Sequence, residues 1–476
     1  MTSIRESRVI AIGFAIMLVT TIIYLADATW SIRGIYGDGL HLGISMAIDG
    51  RFGFSAPSRV FSHMIIKFPV VQAVNLGLRD VHAVLVMYSA TLLFFPLIAI
   101  CLSYFALPRT RKYLFVLPVL AYLTGITASS FQPIGEAQFG TAYFWPLAFL
   151  LLFADVETPM RKILLAVLCL PTLLMHESYS FLGLLLLGVT CYRAWRARDA
   201  ERIFWLILAL WFVAVIATMV YHVIYHSASS NKEGFINSTL KLAFLIKAHR
   251  LYLLKSWSLN GPAVAGLVGL AAGLVIAVAP DRRRLHGLMI ALVAVVGLAI
   301  AVDVFTTQRT FHPGMQTAAR AHVAFISVGL FFLMLLALWR YEKRLIAALP
   351  SLYLLIAVLS VPQMVWHLGA TDHWRNSLAV LCQEVERHEG LVAFEDTRLV
   401  ERSIDGRPIR RMWRHHTVPK LSLLCARDGV VRTIIAAREG ANGRFDPTDP
   451  SALPKIPGYD YGPYLATLDV AAPTGD

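Results

Sequence analysis

Between Arg8 and Trp366 the chain is a succession of apolar runs, most of them about as long as a lipid bilayer is thick and the pair around His176 shorter. A helix rises about 1.5 Å per residue, so about 20 apolar residues cross the roughly 30 Å of hydrocarbon. Backbone in that medium must satisfy its own hydrogen bonds, which restricts an apolar run of this length to helix. Runs of this kind occupy 8–27, 82–106, 113–129, 141–156, 162–175, 178–193, 203–225, 262–280, 287–305, 322–340 and 345–366. The pattern predicts an all-α polytopic membrane domain of about 11 transmembrane helices over residues 1–366. Residues 367–476 read as soluble sequence. The first run ends in Tyr24-Leu25-Ala26-Asp27, which lacks the small residues of a signal-peptide cleavage site, so it is expected to stay as an anchor.

Hydrophobic residues make up 57% of the chain and charged ones 15%, yet the formal net charge is +13. The placement of the cations argues against nucleic acid as the partner. They gather in short connections: Arg5/Arg8, Arg109/Arg111/Lys112, Arg161/Lys162, Arg193/Arg196/Arg198/Arg202, Arg282/Arg283/Arg284 and Arg340/Lys343/Arg344. No basic stripe with interleaved aromatics accompanies them. Short loops rich in Lys and Arg stay cytoplasmic, so these clusters put the N-terminus inside and, with an odd number of crossings, the C-terminal domain outside. With no eukaryotic targeting signal, the expected location is a bacterial inner membrane with the tail in the periplasm.

The opposite loops carry the residues with chemistry. The loop 28–81 is too long for a bare connector. Two stretches in it, Leu40 to Ile48 and Arg59 to Leu76, have apolar residues at helical spacing and read as interfacial helices. Asp38 opens the first; it either caps that helix or acts chemically. His41 follows one turn on. Glu136 lies in the next outer loop, and His176-Glu177 form a corner that is either a solvated hairpin tip or a pair held near the core. Lys247, His249, Arg250, Arg309, His312 and Arg320 are expected at the same depth, either as interfacial anchors or as an anion grip. A carboxylate or imidazole can take a proton from a hydroxyl, and Arg and Lys can stabilise charge growing on a phosphate. Together they suit transfer from a lipid-linked phosphate donor.

This layout, with Tyr36-Gly37-Asp38-Gly39 just after the first span, a long first outer loop and a C-terminal outer domain, resembles the GT-C glycosyltransferases. The resemblance implies a polyprenyl-phosphate sugar as donor, a glycan, lipid or protein acceptor, inverting transfer and Asp38 as the base. It does not assign the remaining residues. Chemistry alone suggests Arg309, His312, Arg320, Lys247 and Arg250 for the donor phosphate, and His41, Glu136, His176 and Glu177 for the sugar or acceptor pocket. Relatives often carry two neighbouring acids in this loop. Here Gly39 follows Asp38 and the next acid is Asp49, so metal-independent chemistry without a cofactor is expected. Three alternatives stand beside this reading: a polymerase or ligase using a lipid-diphosphate donor, a lipid-linked-sugar flippase, and a non-catalytic envelope component.

Phosphate loops, nucleophile elbows and the H-E-x-x-H pattern are absent from the sequence. Cys101, Cys169 and Cys191 lie in apolar runs and read as filler. Cys382 and Cys425 fall in the outer tail, where a disulfide between them is expected. The tail reads as α/β, with a helix from His373 to His388, strands at Leu391–Phe394, Leu421–Cys425 and Val430–Ala436, a turn at Arg427-Asp428-Gly429, and extended chain from Phe445 to Pro463.

Overall fold

A computed structural model describes residues 4–35, 38–52, 57–127, 135–225, 271–279, 281–306, 327–400, 403–404, 407–408, 418–436, 447–451 and 453–471. The molecule is mostly helical. In chain order the helices are α1 (Ile4–Trp30), α2 (Asp38–Asp49), α3 (Val60–Asn75), α4 (Val81–Ala106), α5 (Val116–Ala121), α6 (Gly135–Phe153), α7 (Pro159–Cys169), α8 (Tyr179–Arg196) and α9 (Asp199–Tyr225). They continue with α10 (271–278), α11 (Arg282–Thr306), α12 (Ser327–Leu338) and α13 (Glu342–Val385), and in the tail α14 (Val418–Leu423) and α15 (Gly462–Ala471).

Among the described residues, four helices are long and apolar enough to cross a membrane: Glu6–Trp30, Val81–Ala106, Glu201–His222 and Glu342–Val385. Ala137–Phe153 and Ser327–Leu338 are shorter apolar helices. Exposed apolar side chains, with Ile12, Ile16, Val19 and Ile23 on α1 and Ile203, Ile207 and Leu210 on α9, give these helices surfaces that suit contact with lipid.

The run at 113–129 is not one regular helix. It is a 3₁₀ segment (Arg109–Phe115), then α5, then a π turn (Tyr122–Ile126), and the chain is buried from Leu114 through Thr127. Irregular backbone survives at this depth because protein surrounds it. Gln363 of α13 donates to the Leu123 carbonyl, and the Thr127 hydroxyl bonds to Gln363 Oε1 at 3.0 Å. Helices α4 and α6, α8 and α9, and α1 and α13 form the main packed pairs. Gly13 permits the last of these, since a Cβ there would overlap the Tyr353 carbonyl.

Helix α13 runs for 44 residues without a break, despite Pro350 and Pro362. The division expected at 366/367 falls inside it, so the predicted span and the predicted tail helix are one element. Beyond Trp366 the helix still buries Ala370, Thr371, Trp374 and Ser377. Trp374 Nε1 donates to the Ser31 carbonyl at 2.8 Å, and Arg375 pairs with Asp27 and Asp372. These contacts latch α13 to the end of α1.

The tail pairs β1 (Gly390–Ala393) in parallel with β4 (Thr433–Ala436), and β2 (Ser403–Ile404) antiparallel with β3 (Arg407–Pro408). The strand expected at Leu421–Cys425 is instead the end of α14 and the turn after it. Leu-Ser-Leu-Leu is buried nearly throughout, and such a short apolar run carries no period to separate strand from helix. Pro419 in the first turn and the Ser422 hydroxyl on the Val418 carbonyl favour the helix. The turn at Asp428-Gly429 is present, with φ of 52° and 75° at its centre, the conformation that Asp-Gly supplies to a tight hairpin. Over its described residues the stretch expected to be extended chain, 445–463, has no helix or strand before Gly462, where α15 begins; that helix was not read from the sequence. Cys382 and Cys425 are joined as a disulfide across 43 residues.

Candidate functional site

The loop 28–81 contains both expected helices, α2 and α3, with bounds close to those read from the pattern. Asp38 is the first residue of α2. Its neighbour Gly39 explains how the chain reaches that position. A Cβ at Gly39 would lie 2.5 Å from the Gly34 carbonyl oxygen, and one at Gly43 would lie 2.5 Å from Leu85. The glycine face thus lets α2 lie against the chain leaving α1 and against α4. The side chains of Asp38, His41 and Glu136 lie outside the described residues, as do Lys247, His249, Arg250, Arg309, His312 and Arg320 altogether.

Helix α3 has an inverted distribution of polarity. Met64 and Phe68 are exposed, at 41% and 56%, whereas His63 and Lys67 are buried, at 2% and 0%. Arg59, His63 and Lys67 follow one another at a spacing of four, so they share a face. An apolar outside and a cationic inside suit a helix bordered by lipid on one side and a polar interior on the other.

The corner His176-Glu177 meets this helix. Glu177 accepts from Arg59 Nε at 2.9 and 3.0 Å and from the Ser58 hydroxyl at 2.6 Å. His176 Nε2 lies 3.3 Å from Glu177 Oε2. The Ser178 backbone N–H donates to His176 Nδ1 at 3.0 Å, which leaves the ring proton on Nε2, facing the carboxylate. Burial alone pushes the Glu177 carboxyl up; His176, the Arg59 guanidinium and the Ser58 hydroxyl together outweigh it and hold the pKa at about 2. The corner is held near the core and is not a solvated tip: His176 is 6% exposed. Gly140 of α6 packs on the Cβ of His176, and the Tyr179 hydroxyl donates to the Gly140 carbonyl at 2.9 Å.

A second polar cluster lies where α1 ends. Arg33, fully buried, donates to the His367 carbonyl and to Thr371 Oγ1, each at 2.9 Å, and its Nη2 lies 3.1 Å from His367 Nδ1. Tyr24 stacks on His367, with ring centroids 4.3 Å apart. Burial lowers the Arg33 pKa to about 10.

Of the residues singled out from sequence, the structure brings His176 and Glu177 together. Sequence reasoning missed their partners Ser58 and Arg59, and missed His63, Lys67, Arg33 and His367. A usable signal was present for α3, in basic residues four apart within an otherwise apolar helix. No local signal marks Arg33 or His367, whose contact spans 334 residues of chain. Comparisons with family models, with curated proteins and with solved structures return no match. No group of three or more metal-ligating side chains occurs among the described residues.

Proposed function

We propose that the chain is a membrane glycosyltransferase that moves a sugar from a polyprenyl-phosphate donor to an envelope acceptor at the outer face of a bacterial inner membrane. The observation that carries this reading is the pair His63 and Lys67, buried on one face of α3 behind exposed Met64 and Phe68, with Arg59 half-buried just before the helix. Charge inside a membrane bundle is costly and marks a site. A phosphate on a lipid tail suits it, because the tail stays in hydrocarbon while the headgroup reaches the cations.

In this mechanism Asp38 takes the proton of the acceptor hydroxyl. The hydroxyl oxygen bonds to the anomeric carbon from the face opposite the phosphate. The bond between that carbon and the phosphate oxygen breaks, its electron pair leaves with the lipid phosphate, and configuration inverts. Arg59 and Lys67 stabilise the charge on the leaving phosphate. Glu177, ionised to about pH 2 and tied to Arg59, is too weak a base for the hydroxyl and serves to position the guanidinium. Asp38 and Asp49 sit at opposite ends of a 12-residue helix, about 16 Å apart along its axis, which is too far for one ion to bridge.

The test is sugar release from defined polyprenyl-phosphate sugars by purified protein. Asp38→Asn is expected to lower turnover by at least about 100-fold with folding retained, the loss typical of a general base. Unchanged turnover in Asp38→Asn overturns the assignment. Loss in Arg309→Gln alone, on a diphosphate donor, points to a polymerase or ligase, and movement of lipid without turnover points to a flippase.

A further inference from the structure

At the other end of α8 from the Glu177 corner, about 27 Å along its 18 residues, lies a cavity of about 540 Å³. It is formed where α4, α6 and α8 finish and α9 begins, with Trp339 also in its lining. Three arginines line it, Arg111, Arg193 and Arg196, against one carboxylate, Glu201. Arg111 lies over two adjoining aromatic rings, 4.6 Å from the Phe153 centroid and 4.5 Å from that of Trp339. Arg193 donates to the Leu152 and Ala154 carbonyls, at 3.0 and 2.8 Å, and lies 4.5 Å from the Trp205 ring. Packing therefore holds the guanidiniums in place.

Among the described residues, two donors of this lining have no acceptor. Arg111 Nη1 and the indole Nε1 of Trp205 are both buried and make no hydrogen bond, and Trp205 as a whole is 0% exposed. An unmet buried donor costs about 1–3 kcal/mol, which a bound acceptor removes. The ligand must be anionic, to face three guanidiniums against one carboxylate, and must offer several oxygens. Beside the cavity, Trp195, Ile203 and Leu206 present exposed apolar surface.

We propose that this cavity binds a phosphate group, supplied by the headgroup of an anionic phospholipid in the leaflet on the Arg-rich side. Basic pockets between spanning helices on that side suit such headgroups. The site is separate from the outer-face cluster, and the proposal stands whether or not the chain transfers sugar.

The test uses full-length protein in nanodiscs of phosphatidylcholine with phosphatidylglycerol, followed by native mass spectrometry of retained lipid, with inorganic phosphate as a second probe in a thermal-shift assay. Wild type is expected to retain phosphatidylglycerol over phosphatidylcholine by about fivefold per phosphate-pairing arginine. Arg111→Gln is expected to lower that preference about fivefold, and Trp205→Phe, which keeps an aromatic ring while removing the donor, is expected to lower it as well. Where Arg111→Gln does not yield monodisperse protein, Arg196→Gln replaces it. A thermal shift with inorganic phosphate that the variants lose, without lipid preference, keeps the phosphate site and overturns the lipid as its source. Equal retention in wild type and both variants, with no response to phosphate, overturns the proposal.

Discussion

At the scale of single residues, the Arg59–Glu177 pair makes the clearest demands. Two charges removed from water are stable together and costly apart. Against the upward push of burial, His176, Arg59 and the Ser58 hydroxyl together lower the carboxyl from its ordinary 4.5 to about 2, and at about 1.4 kcal/mol per unit this corresponds to about 3 kcal/mol of folding stability for the whole cluster. Because the folded pKa is depressed, that contribution is complete above pH 4.5 and is lost as pH falls through about 2. Glu177→Gln is expected to lower stability by about 3 kcal/mol at neutral pH and to flatten the acid limb below pH 4.5, read from thermal melts across pH. An unchanged acid limb contradicts the pairing. Gly39→Ala is expected to act differently. The added methyl meets the Gly34 carbonyl and forces α2 away from the chain leaving α1, costing about 1–3 kcal/mol and moving Asp38. Melting temperature and turnover should fall together in that variant.

At the scale of elements, α3 and α13 depart most from what their sequences suggest. Each reads as a helix from periodicity alone, and each is one. The inward direction of Lys67 and His63 was not legible, because an amphipathic pattern names two faces without saying which is covered. Here α4, α6 and the segment before Tyr179 pack against α3, and His63 and Lys67 are buried. Helix α13 merges an apolar run with what reads as soluble helix, since no residue between them stops a helix once α1 packs alongside. Its far end is secured by the Cys382–Cys425 bond and by Glu384, which meets Arg387 at 3.0 Å, His388 at 3.2 Å and the Arg398 N–H at 3.0 Å. Closing a loop of 43 residues stabilises by about 4 kcal/mol on the chain-entropy account. Cys425→Ser is therefore expected to open the tail to limited proteolysis while the cleavage pattern of the remaining helices stays unchanged. A tail equally resistant in that variant overturns the stabilising role.

For the whole molecule, the loops sort to two ends. Pro108, Arg111, Phe153, Arg193, Arg196 and Trp339 share one cavity, whereas Ser58, Arg59 and Glu177 meet at the other end of α8. With the Arg-rich end cytoplasmic, a cysteine placed at Asp372 is expected to react with an impermeant maleimide in right-side-out vesicles, and one at Trp195 is not, in a background lacking Cys191. Labelling of Trp195→Cys with protection of Asp372→Cys inverts the orientation and removes the proposed outer site. Sequence by itself determined that this chain forms membrane-length helices, where most of them start and stop, and that its cations gather in particular loops, because hydropathy and charge density are local properties of a segment. Tertiary structure decided which ionisable groups face one another. Glu177 finds Arg59 across 118 residues, and Arg33 finds His367 across 334. Such pairings depend on which helix packs beside which, and the desolvation that gives them their energy exists only once the neighbouring helices have closed around them.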